Sequence, residues 1–225
     1  MSRIVAFGAS HSVGFNQPEW DKARVLSSAC YPAAMAATLG YDLIHYGRVG
    51  VGVDYIDRTV LYDTTQIEPT DIAVVQLVSH YFFKTLFEQK TGRTFGAVTH
   101  YTSIDANPFS FKMATMDDQI NLIDFMHNVN SIIETITTRY PRSVFFLCSP
   151  VRNFIPLATK IDEFGSDLDK KTLATFNRNL IQRICSETFE QFATAWPEDY
   201  CQGDTSHFGA KIHAKWGEYL MEQVR

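Results

Sequence analysis

The chain has 225 residues, 45% of them apolar and 20% charged, and a formal net charge of −5. This composition excludes a disordered or collagen-like chain and allows one sizeable core, so a single domain is expected over 1–225. Basic residues are scattered rather than gathered on one face, which argues against nucleic acid as a partner.

In chain order, Arg3–Phe7 is a short β-branched run closed by Gly8. It reads as a buried strand entering a tight turn, with Ser10 left at the mouth of the sheet. Pro32–Leu39, stopped by Gly40, predicts a short helix. Strands follow at Asp42–Tyr46 and Asp71–Val78, joined by a stretch containing "HYGRVGVGVDYI" that reads as a glycine-bearing loop. Lys84–Phe111 has Gly92, Gly96 and Pro108 and little periodicity, and is expected to form a lid or interaction insert. Its aromatics, Phe87, Phe95, Tyr101, Phe109 and Phe111, suit a pocket wall, a subunit contact or closure of the core.

A long helix is predicted over Met116–Tyr140, where Leu122, Met126, Val129, Ile133 and Ile136 recur at steps of four and three. Thr115 with Asp118 suggests a capping box, and Pro141 ends the helix. A strand at Ser143–Cys148, a helix through Leu173, Phe176, Leu180, Ile184 and the residues around Phe189, a weaker strand at Gln191–Trp196 and a helix carrying Ile212, Trp216 and Leu220 complete the chain. The alternation implies a doubly wound, three-layer α/β/α domain with a mainly parallel five-stranded sheet.

The longest apolar stretches are of strand length, so neither a secretion signal nor a membrane span is expected. Cys30, Cys148, Cys185 and Cys201 are widely separated and form no CxxC pair, which fits reduced thiols in the cytoplasm rather than a zinc site or a disulfide framework. No metal or cofactor is expected.

In such a sheet, ligands bind at the carboxyl ends of the strands. Three ends carry polar or glycine-rich residues here: Ser10, His11 and Ser12 after the first; Gly47, Gly50 and Gly52 after the second; Gln76, Ser79 and His80 at the third. Near the C-terminus Asp204 precedes His207 by three residues. A serine hydroxyl becomes a useful nucleophile when a neutral imidazole accepts its proton and an acceptor fixes the imidazole tautomer. Asp204 and His207 on one turn can present carboxylate and imidazole together.

Gly8-Ala9-Ser10-His11-Ser12-Val13-Gly14 resembles the first block of the SGNH (GDSL-type) hydrolases, and Asp204-Thr205-Ser206-His207 resembles their last. The intervening motifs fall in the right order, so the similarity covers nearly the whole chain. "FGASHSVG", "VVQLVSH" and "DTSHFGAKIHAKW" are also similar to small SGNH-like proteins of tailed bacteriophages, which would imply the host cytoplasm. The family resemblance implies an SGNH/flavodoxin-like fold and an esterase or deacetylase acting on an acylated carbohydrate or small molecule. It implies Ser10 as nucleophile, His207 as base and Asp204 as its orienting partner. The oxyanion donors would be the Ser10 amide and a second-block glycine, Gly47 or Gly50 with Gly50 preferred.

Two positions depart from the family pattern. Ala9 stands where the family has aspartate, and Val78-Ser79-His80 stands where it has Gly-x-Asn, so Ser79 or His80 would have to donate in place of asparagine. Loss of one oxyanion donor costs roughly a hundred- to thousandfold in turnover. His11, Gly47 and His80 are candidates for lining the pocket. Other readings are a turn or N-cap role for Ser10, a capping role for His207, and a degenerate fold that binds a ligand or protein through the 84–111 insert. A phosphate cradle in the first loop is weakest, since neither GxGxxG nor a GK[ST] ending is present.

Overall fold

The structure, a computed structural model, describes residues 2–15, 17, 27–49, 51–63, 66–77, 116–147, 165–187, 192, 196, 198–199 and 207–224, with the side chains of 116–122 excepted. Gly50, Ser79, His80, Cys148, Cys201, Asp204, the 84–111 insert and Thr115 of the expected capping box lie outside these residues.

Among the described residues, four strands form one parallel sheet: β1 (Arg3–Phe7), β2 (Asp42–His45), β3 (Ile72–Leu77) and β4 (Arg142–Leu147), in the order β2-β1-β3-β4. Ile4 pairs with both Leu43 and Ile72, and Ile72 pairs with Arg142. The inner strands β1 and β3 are covered on both faces, which is why they read as unbroken apolar runs rather than alternating ones. Gln76 is the exception, a polar residue with no exposed surface at the carboxyl end of β3.

The helices among the described residues are α1 (Ser10–Val13), α2 (Tyr31–Leu39), α3 (Val53–Tyr62), α4 (Met116–Arg139), α5 (Asp167–Gln182) and α6 (Ala210–Gln223). The chain moves from β1 outward to β2, then back across β1 to β3 and on to β4. Right-handed crossovers therefore put α2 on one face and α3 and α4 on the other. α2 packs against α6, while α4 packs against both α3 and α5, giving three layers. Met126, Val129, Ile133 and Ile136 of α4, and Ile212, Trp216 and Leu220 of α6, are all buried as their periodicity predicts. The reversal of direction occurs between β1 and β3, so the ligand-binding crevice of this topology opens at the α1 turn.

Two carboxylates anchor the sheet, Asp71 at its amino-terminal end and Asp63 between the residue that follows β2 and one that precedes β4. The buried Asp71 carboxylate accepts from the Arg3 backbone amide at 2.9 Å and pairs with its guanidinium. Burial opposes its charge, yet the Arg3 hydrogen bonds outweigh that and hold the carboxyl below its ordinary value. Asp63, just beyond α3, accepts hydrogen bonds from the Tyr46 hydroxyl at 2.8 Å and the Tyr140 hydroxyl at 2.7 Å.

Three expectations meet a different outcome among the described residues. The stretch read as a loop after β2 contains α3, whose Val53, Ile56 and Val60 are buried at steps of three and four. Of the run Gln191–Trp196, expected as a weaker strand, only Phe192 and Trp196 lie among the described residues; Phe192 is helical and packs its ring against Trp196, Trp216 and Tyr219. Among the described residues, β4 also meets Ile184 through an isolated parallel bridge to Phe145, with the Cys185 amide donating to the Phe145 carbonyl. Ile184 therefore lies beyond α5, not within it, and Phe189 lies outside the described residues.

Candidate active site

The turn after β1 is a helix of one revolution, too short to be stable on its own. Its backbone closes through the Ala9 carbonyl, which accepts from the Ser12 and Val13 amides and from the Ser12 hydroxyl at 2.7 Å. Gly14 ends the turn at φ 67°, a left-handed conformation that glycine adopts without a Cβ penalty. Ser10, at the first helical position, is 6% exposed. Among the described residues, none hydrogen-bonds the Ser10 hydroxyl.

Side chains from the two strands beside β1 hold this turn. From β3, Gln76 Oε1 accepts from the Ala9 amide at 3.0 Å and the Ser12 amide at 3.2 Å. A Cβ on Gly8 would stand 2.7 Å from that oxygen, so glycine there lets the amide approach. From β2, His45 Nε2 lies 2.9 Å from the Ser12 carbonyl, and the Gly47 amide donates to His45 Nδ1 at 3.0 Å. A carbonyl only accepts, so Nε2 carries the proton and the ring is neutral. Burial pushes its pKa down to about 4, and the Ser12 hydrogen bond only partly offsets this. The Gly47 amide is thereby engaged with His45 rather than directed at a ligand.

His207 reaches the same place from the other end of the chain. Its ring centroid lies 4.9 Å from that of His11 and 4.8 Å from that of Phe15, so it sits over the turn that carries Ser10. Three groups hold the segment behind it. Gln17 donates its side-chain amide to the Phe208 carbonyl, the Asp199 carbonyl accepts from the Gly209 amide at 2.8 Å, and Asp199 Oδ2 accepts from the Ile212 amide at 2.7 Å. Asp199 thus caps α6 from eleven residues upstream of its first residue, Ala210.

His11 is 7% exposed and lies between His207 and His213, with ring centroids at 4.9 and 6.4 Å. His213 stacks on Tyr31 at 6.0 Å in the core between α6 and α2. Burial, reinforced by the neighbouring His207, pushes its pKa down to about 3. It is therefore a neutral packing residue, whereas His11 faces the same crevice as His207. Among the described residues, no group of three or more His, Cys, Asp or Glu is placed to hold a metal ion. No described helix is long and apolar enough to cross a membrane.

Of the sequence-predicted site residues, Ser10, His11, Gly47 and His207 are brought together at the carboxyl end of β1. Asp204, Gly50, Ser79 and His80 lie outside the described residues. The sequence reading gave no role to His45 or Asp199, and it named Gln76 only as a polar strand end.

No family model matches the sequence, and no curated protein matches it. Solved structures do. The chain is similar to the lipase Lip_vut3 from a goat rumen metagenome, at TM-score 0.55 and 16% identity, over 99% of this chain and 97% of that one. It is similar to phospholipase A1 from Streptomyces albidoflavus NA297, at TM-score 0.53 and 12% identity, over 97% and 96%. A carbohydrate esterase described as having divergent catalytic and non-catalytic binding functions gives TM-score 0.54 and 14% identity, over 98% of this chain and 67% of that one. The fold is that of the SGNH hydrolases.

Proposed function

We propose that the protein is a serine hydrolase of SGNH type, an esterase or deacetylase that removes an acyl group from a carbohydrate or other small molecule. The observation that carries this reading is His207, brought from the C-terminal segment to within 4.9 Å of the ring adjoining Ser10 in sequence. In the proposed reaction the Ser10 oxygen attacks the ester carbonyl while His207 takes its proton. His207 then returns that proton to the leaving alcohol, and water, deprotonated by His207, releases the acid and restores Ser10. Asp204 would orient His207. The Ser10 amide, Gly50 and Ser79 would bind the developing oxyanion, and the engagement of the Gly47 amide with His45 favours Gly50 over Gly47.

A second reading, a catalytically degenerate fold that binds without turnover, is favoured by Val78-Ser79-His80 in place of the family's Gly-x-Asn. Kinetics separate the two. Ser10→Ala and His207→Ala should each reduce hydrolysis of a small aryl acetate by about a thousandfold or more while leaving the melting temperature nearly unchanged. Activity that survives in both variants removes the triad.

A further inference from the structure

We infer that Gln76 is the N-cap of the nucleophile turn, supplied from a neighbouring strand, and that it is a positioning residue for Ser10. An N-cap side chain accepts the amide of the second or third helical residue. Here the N-cap position is Ala9, whose methyl group accepts nothing, and the third helical residue is Ser12. The acceptor is Gln76 Oε1, at 3.2 Å from the Ser12 amide and 3.0 Å from the amide of Ala9 itself. An aspartate at position 9 would offer a carboxylate to that same Ser12 amide. The departure at Ala9 and the buried glutamine at the end of β3 are therefore two halves of one arrangement.

The arrangement has a consequence for Ser10. Gln76 takes the amides on either side of the Ser10-His11 pair and leaves the Ser10 amide to other uses. Because Oε1 is anchored on an inner strand with no exposed surface, the turn is fixed to the sheet rather than to a surface loop. His45 holds the same turn from the opposite strand through the Ser12 carbonyl, so donors and acceptors of α1 are gripped from both neighbours of β1. A one-turn helix held this way can present a serine in one orientation.

The catalytic part of this inference rests on the hydrolase reading; the capping part does not. The test is amide hydrogen exchange of residues 4–14, together with kcat and KM on an aryl acetate, for wild type, Gln76→Leu, Gln76→Glu and the double variant Gln76→Ala with Ala9→Asp. Gln76→Leu should speed exchange at Ala9 and Ser12 by about tenfold, with α6 unchanged, because a lost cap is worth about that factor. It should lower kcat with KM nearly constant. Gln76→Glu keeps the acceptor and should retain slow exchange at Ala9 and Ser12 while lowering the melting temperature, because it buries a carboxylate where the side chain has no exposed surface, and Ala9→Asp should restore slow exchange at Ser12. If Gln76→Leu does not fold, Gln76→Asn, one methylene too short to reach both amides, takes its place. Unchanged exchange in Gln76→Leu, or fast exchange at Ser12 that Ala9→Asp does not restore, overturns the inference. A wild type without esterase activity would count against the hydrolase reading alone, since the exchange result stands without it.

Discussion

Ser10, His45 and Asp63 are each placed by what surrounds them, and the surroundings set what a substitution does. His45 is neutral because both ring nitrogens are committed, one donating to the Ser12 carbonyl and one accepting from the Gly47 amide. Asp63 lies beside Arg139, whose guanidinium is 3.5 Å from Oδ2, and its two oxygens accept from two phenols. Burial first, and the Asp63 hydrogen bond second, push the Tyr140 phenol well above the ordinary tyrosine value. Asp63→Ala removes the carboxylate that accepts from both hydroxyls and lies beside Arg139, and should destabilise by about 3 kcal/mol. Asp63→Asn keeps an acceptor and should cost less. Urea denaturation of the two variants checks the order; equal stability of Asp63→Ala and wild type would show that the phenols find other partners.

The α1 turn shows at the scale of an element how little of its stability is local. Gly14 closes it in the left-handed region, and a Cβ there would stand 2.7 Å from the Ser27 Cβ. Gly14→Ala should cost about 1–2 kcal/mol from backbone strain alone. The melting temperature should then fall by roughly 2–4 °C for each kcal/mol; an unchanged value would mean that the turn relaxes out of its present form. The strands were legible in the sequence because buried parallel strands are continuous apolar runs, and β1 matches its expected bounds of Arg3–Phe7. α3 was not, although Val53, Ile56 and Val60 keep helical spacing, because glycines lead into it and β-branched and aromatic residues fill it. Phe192 was taken for a strand residue because an aromatic-rich run of six residues fits an edge strand and a helix equally well. Ser10 and His207 could be named as candidates, and their approach in space expected, because their local blocks carry their own spacing. Gln76 and Asp199 could not, because their roles depend on oxygens reaching amides 67 and 13 residues away.

For the whole molecule, the buried imidazoles set the response to acid. His45 and His213 are held at about 4 and about 3, below the ordinary histidine value of about 6.5. Between those values the unfolded chain binds protons that the folded chain refuses. The stability contributed by their neutral burial is therefore complete above about pH 6.5 and is lost as the pH falls toward 4 and 3. Asp71, held below its ordinary value, adds a loss of the same sign at lower pH. Urea midpoints should fall steadily from pH 7 to pH 4.5, with a shallower slope in His213→Phe; a flat profile would contradict the neutral assignments. The acid-sensitive His45 grips the same turn that carries Ser10, so folding and the proposed chemistry meet at the end of β1. The measurement that tests this most directly is intact mass after exposure of the folded protein to a fluorophosphonate, with the adduct mapped. The account predicts one adduct, on Ser10, absent from Ser10→Ala and greatly slowed in His207→Ala. A folded wild type that takes up no reagent, or an adduct that persists in Ser10→Ala, would contradict it.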